Sequence, residues 1–116
     1  TTHFRLGADH LIDYKDNEGK FSEKIAKLTQ KRGVNAIFDP VMSGPSFNEN
    51  LKSLAQDSKW VIYGSMGGPK LQTEAQMVRL LMARASILTS TLRNRSDQYK
   101  SKLFQEVYDF YNQKPG

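Results

Sequence analysis

The 116-residue chain contains no cysteine. That absence excludes disulfides, thiolate metal sites and cysteine nucleophiles together, and it fits a reducing, cytoplasmic setting. Histidine is nearly as scarce. His3 and His10 are the two present, and with no further ligands in view they fall short of the four a structural zinc site takes. Long apolar runs are missing too: residues 60–68 and 86–92 are the most apolar stretches, well below the ~18 residues of a membrane-spanning helix. The opening ten residues carry Arg5 and Asp9 and lack the apolar core of a secretory leader. Catalytic signatures are equally thin, with no HExxH, no Walker A run, no GxGxxG and no supported Ser-His-Asp arrangement.

What is present describes an ordinary globular domain, 38% hydrophobic and 25% charged. The net charge of +5, from 17 basic and 12 acidic residues, permits an anionic partner. The basic residues scatter, however, and no RRM, zinc-finger or KH signature accompanies them. Solvated helix faces are the plain reading, and a small nucleic-acid-binding module is the rival one.

Four short apolar runs read as strands buried on both faces: residues 10–14, 34–39, 60–64 and 86–91. Their starts fall about 25 residues apart, the rhythm of a strand plus a crossover helix; hairpins would repeat at about 8–12. The intervening segments carry helical signals. Ser22 is an N-cap candidate, with Ile25 and Leu28 on one face and Gly33 as a stop. Ser46 and Glu49 form a capping box before Phe47, Leu51, Leu54 and Ala55 at helical spacing. Thr73 and Gln76 repeat the box ahead of Met77, Leu80 and Leu81, and a last helix begins at Ser96 and Asp97 with a broad aromatic face. Alternation of this kind predicts an α/β fold with an open, doubly wound parallel sheet.

Ligands in such sheets sit beyond the carboxyl ends of the strands. Four clusters follow: Tyr14 and Lys15, residues 41–44, residues 63–68 and residues 90–93. Gly64, Gly67 and Gly68 either let backbone approach a flat ligand or simply turn the chain. Tyr14 is a rim residue or a stacking partner for an adenine, with Lys15 toward phosphate. Asp39, before Pro40, ends its strand and is a weak candidate for a general base.

The segments RLGADHLIDYKD, GVNAIFDPV, KWVIYGSMGG and ASILTSTLRNRSDQYK resemble, in order, the second half of the nucleotide-binding domain in the zeta-crystallin-like quinone oxidoreductases. These are zinc-free members of the medium-chain dehydrogenase/reductase superfamily, and the tumour-suppressor-inducible branch is the most similar. The resemblance implies an NAD(P)-binding Rossmann-like fold, present as its second half, and NADPH-dependent hydride transfer to quinones or related enones. It implies that Tyr14 lies by the adenosine 2′-phosphate and that Val41, Met42 and Ser43 border a ribose. Tyr63, Gly64, Ser65 and Met66 would line the nicotinamide side, and Ser90, Thr91 and Leu92 would meet the carboxamide. It also implies a homodimer through residues 86–91. The first two Rossmann strands, the pyrophosphate fingerprint and a substrate domain have no counterpart in these residues. The expectation is therefore a piece of a longer enzyme, inactive alone, with a purely structural crystallin-type role as a further alternative.

Overall fold

The computed structural model describes residues 6–71 and 74–113. His3 and Thr73 lie outside them. A 3₁₀ turn at Asp16–Gly19 leads into helix α1, Phe21–Leu28. Strand β1 spans Val34–Asp39, α2 Pro45–Ser53, β2 Leu54–Ile62, α3 Val78–Ala83, β3 Ser86–Thr89 and α4 Asp97–Asn112. The three strands form one sheet in the order β1-β2-β3, parallel throughout.

Register explains which residues become core. Ile37 pairs with Trp60 and Trp60 with Ile87, placing these three in one row on one face. Helices α2 and α3 cover that face: Phe47 and Leu51 join Trp60 and Ile62 in the buried cluster, and Leu80 packs against it. Trp60 is fully buried and its ring meets Phe47 at 4.8 Å between centroids, an interior aromatic contributing about 3 kcal/mol by burial. The opposite row, Phe38, Val61 and Leu88, lies on a far more open face, with Phe38 71% exposed. Right-handed crossovers advancing in one direction put their helices on one side, so this is one winding of a doubly wound sheet.

Several sequence expectations are corrected. Residues 10–14 form no strand, because a ladder needs a neighbour and β1 is an edge of the described sheet. Ser22 does not cap α1; its N–H and hydroxyl both donate to Glu49, at 2.9 and 2.6 Å. The Ser46–Glu49 box does not form either, since the Ser46 hydroxyl donates to the Ser43 carbonyl and Gly44 holds the N-cap position. Leu54 and Ala55 belong to β2. Gly33 permits that: at φ +82° its hydrogen sits where a Cβ would lie 2.6 Å from the Ser53 carbonyl oxygen. Gln76 precedes α3, which starts at Val78. The last helix begins as expected, with the Ser96 hydroxyl accepting from the Tyr99 N–H.

Candidate functional site

The site grows out of the end of β1. Asp39 is buried, and its carboxylate accepts four hydrogen bonds. Oδ1 takes the N–H groups of Val41 and Met42 at 2.8 and 3.0 Å; Oδ2 takes Asn50 Nδ2 and Trp60 Nε1, each at 3.1 Å. An aspartate reaching the backbone two residues on is the standard chemistry of a turn. All its acceptor capacity is committed, which leaves the general-base reading without support. Met42 sits at φ +67°, and its side chain packs against the core.

A second loop, following β2, locks onto the first. Tyr63 N–H donates to the Asp39 carbonyl, Met66 N–H to that of Pro40 and Gly67 N–H to that of Val41, all at 3.0–3.1 Å. The buried Ser43 hydroxyl donates to the Gly68 carbonyl at 2.9 Å. Such approach requires missing side chains: a Cβ on Gly64 would lie 2.6 Å from the Pro40 carbonyl oxygen, and one on Gly67 2.8 Å from that of Ser43. The glycines therefore join two loops, and their need is met within the protein.

Between these loops and the chain entering α1 lies a cleft of about 800 Å³, within the size range of small-molecule sites. Tyr14, Val41, Ser43 and Met66 of the expected set line it, together with Lys15, Glu18, Phe21 and Asp39. Ser90 and Thr91 line a separate depression of about 300 Å³ with Asn94 and Arg95. Leu92 lines a third depression with α4 residues Leu103, Phe104 and Val107. Tyr63, Gly64 and Ser65 continue the loop that carries Met66, with Tyr63 half exposed. The structure thus gathers four of the expected residues in one cleft and leaves Ser90, Thr91 and Leu92 outside it.

Charge in the cleft is mixed. Lys15 holds its ammonium 5.8 Å from the Tyr14 ring centroid. Glu18 carries a carboxylate kept below its usual range by the hydrogen bond from Lys20, 2.9 Å away. A nucleoside can rest on the tyrosine and the apolar walls, whereas a pyrophosphate finds one cation, Lys15, and two carboxylates, Glu18 and Asp39, among the described lining residues. Glu18 and the Asp39 bonding pattern were missed from sequence; the Asp-Pro pair ending a strand was the one available signal for the latter.

Residues 4–110 match the family model described as zinc-binding dehydrogenase. The chain is 34% identical over 74 residues to quinone oxidoreductase-like protein 2 of Bos taurus, an alignment covering 64% of this chain and 20% of that protein. Among solved structures, a mycobacterial quinone oxidoreductase matches with a TM-score of 0.61 at 28% identity, over 77% of this chain and 26% of that one. A mycobacterial protein complexed with NADPH matches with a TM-score of 0.67 at 26% identity, over 94% and 34%. The alignments span about a fifth to a third of these relatives' lengths. The parallel β1-β2-β3 order fits the second half of their Rossmann-like fold. This chain belongs to the zinc-binding dehydrogenase family.

Proposed function

We propose that the chain is the second half of the nucleotide-binding domain of a zinc-free, cytoplasmic, NADPH-dependent oxidoreductase that reduces quinones or related enones. One observation carries the reading: two loops at the carboxyl ends of adjacent parallel strands are bonded to each other beside a cleft lined by Tyr14, Val41, Ser43 and Met66. The quinone oxidoreductase relatives and the NADPH-complexed neighbour support the same direction.

The residues fit part of such a cofactor. Tyr14 and Lys15 offer a ring face and a cation to the adenosine 2′-phosphate, Val41 and Ser43 border a ribose, and Met66 supplies an apolar contact toward the nicotinamide side. When bound, the cofactor supplies the hydride; the protein's part is to hold and dry the ring. Nothing in the described cleft grips a pyrophosphate, so affinity is expected in the high micromolar to millimolar range. Ser90 and Thr91 reach the carboxamide in this reading only once the nucleotide spans both depressions, and Leu92, which lines a third, is assigned to it by the resemblance alone. No residue is assigned to acid–base catalysis.

The chain is proposed to dimerise through residues 86–91. Nucleic acid is not favoured as a partner, because the basic residues form no continuous stripe in the sequence. Among the described residues no helix is long and apolar enough to cross a membrane.

Titration with NADPH, followed by backbone amide shifts, tests the binding claim. Saturable movement of residues 14–15, 41–44 and 63–68 is expected. Shifts confined to the outer surfaces of α1 and α4 would place the nucleotide elsewhere and overturn it.

A further inference from the structure

Asp39 is 4% exposed and accepts four hydrogen bonds, yet it makes no ion pair among the described residues. Two of its donors belong to a strained piece of backbone. Ser43 N–H donates to the Val41 carbonyl at 2.8 Å, closing a three-residue turn around Met42 at φ +67°. A turn of that hand is rare and costly for a residue with a side chain. Such conformations persist where the surroundings over-determine them, and they gather at ligand sites.

The surroundings here converge on one carboxylate. Oδ1 holds the N–H groups of Val41 and Met42, on the strained side. Oδ2 is held by Asn50, from α2, and by the indole of Trp60, from the central strand β2. Trp60 is fully buried and Asn50 nearly so, which makes the far end of the clamp rigid. Oδ1 therefore fixes the turn relative to the sheet. Val41 and Ser43, the two ends of the turn, are cleft-lining residues.

We propose that Asp39 is a positioning residue for nucleotide binding: its carboxylate ties the Val41–Ser43 turn to the core and thereby sets the shape in which the cleft receives a ribose. This rests on the NADPH reading above. It assigns Asp39 no proton transfer. It also explains why a buried tryptophan on the central strand turns its polar edge toward the loop.

Two variants of the full chain separate positioning from general stability. Asp39→Asn presents an amide donor in place of one acceptor oxygen and so disrupts the clamp. Trp60→Phe removes one donor from Oδ2 and leaves both backbone bonds to Oδ1 possible. Each is measured for NADPH affinity by amide shifts, for unfolding midpoint, and for amide exchange at Val41 and Met42. Asp39→Asn is expected to weaken NADPH binding about tenfold, the cost of a lost charge-assisted bond, and to release both amides while the β2 amides stay protected. Trp60→Phe, which keeps the Asn50 donor on Oδ2, is expected to lower the unfolding midpoint and to weaken affinity clearly less than Asp39→Asn does. Equal affinity losses in the two variants, or none in Asp39→Asn, would overturn the proposal while leaving NADPH binding established.

If wild type binds no NADPH, the functional reading fails, and amide exchange then decides the structural half of the claim. Slow exchange at Val41 and Met42 that is lost in Asp39→Asn sustains the clamp; fast exchange in wild type overturns it. That wild-type measurement also decides the matter if Asp39→Asn does not fold.

Discussion

Gly64 and Gly67 act through the atoms they lack. Each leaves room for a carbonyl oxygen of the neighbouring loop, at 2.6 and 2.8 Å from where a Cβ would stand. Both contacts are with backbone, which cannot swing aside as a flexible side chain would. Gly64→Ala is therefore expected to cost about 1–3 kcal/mol, the range for overpacking, and to break the Met66-to-Pro40 bond, seen as a lower unfolding midpoint and faster exchange at Met66. An unchanged midpoint would mean the loops are not locked together. Glu49 carries a different kind of residue-scale consequence. Burial pushes its carboxyl up, but hydrogen bonds from Lys52 and Ser22 outweigh this and leave it below the usual range. A carboxylate depressed in the folded state contributes its stability above its unfolded pKa, about 4.3, and loses it as pH falls through the folded value. Glu49→Gln should cost about 1–3 kcal/mol at neutral pH. In urea unfolding the gap to wild type should close as the buffer is taken below about pH 4, and a gap independent of pH would show that Glu49 contributes nothing through its charge.

At the scale of elements, β3 is where the proposed self-association can be tested. It is an edge of the described sheet, and all four of its residues are exposed. Ser90 N–H donates inward to the Ile62 carbonyl at 2.9 Å. Along a strand in a parallel ladder, alternate N–H groups point to opposite sides, so Leu88 also faces β2 whereas Ile87 and Thr89 face the free edge. Proline at Ile87 or Thr89 consequently removes an outward donor while sparing the inward bonds. Ile87→Pro is expected to weaken self-association by at least about tenfold if the edge pairs across a dimer, measured by sedimentation. Undiminished association with an intact fold would place the dimer contact elsewhere. Arg84 and Asp57 add a second restraint on this part of the sheet. Both have positive φ, and they form a two-bond ion pair that ties the turn before β3 to the irregular start of β2.

Across the whole molecule, local signals were legible and long-range ones were not. Val34–Asp39 was readable with both boundaries because Gly33 and Pro40 flank a β-rich run. Residues 10–14 carry the same pattern but form no strand, since strand character there depends on a neighbour the described residues do not supply. Ser22 looked like a cap, and the residue that claims its hydroxyl lies 27 positions away. Leu54 and Ala55 continued a helical spacing that sheet pairing with Val34 overrides. The cleft followed from the rule about strand ends, and Tyr14, Val41, Ser43 and Met66 line it. The four donors on Asp39 come from three separate segments, which spacing alone does not reveal.

The same scale governs activity. A radius of gyration of 16.3 Å exceeds the roughly 13 Å of a compact domain this long, consistent with the open sheet face at Phe38 and with α4, none of whose residues is buried. Hydride transfer needs a nicotinamide held within near-attack distance and shielded from water. Here the depression at Ser90 and Thr91 is separate from the main cleft, and the described lining offers no pyrophosphate grip to hold a nucleotide across both. The 116-residue chain is therefore expected to oxidise NADPH with a quinone no faster than the uncatalysed background, even at concentrations where amide shifts report binding. Turnover above background by the purified chain would show that the two depressions close into one site, and that the open arrangement described here is not the one that acts.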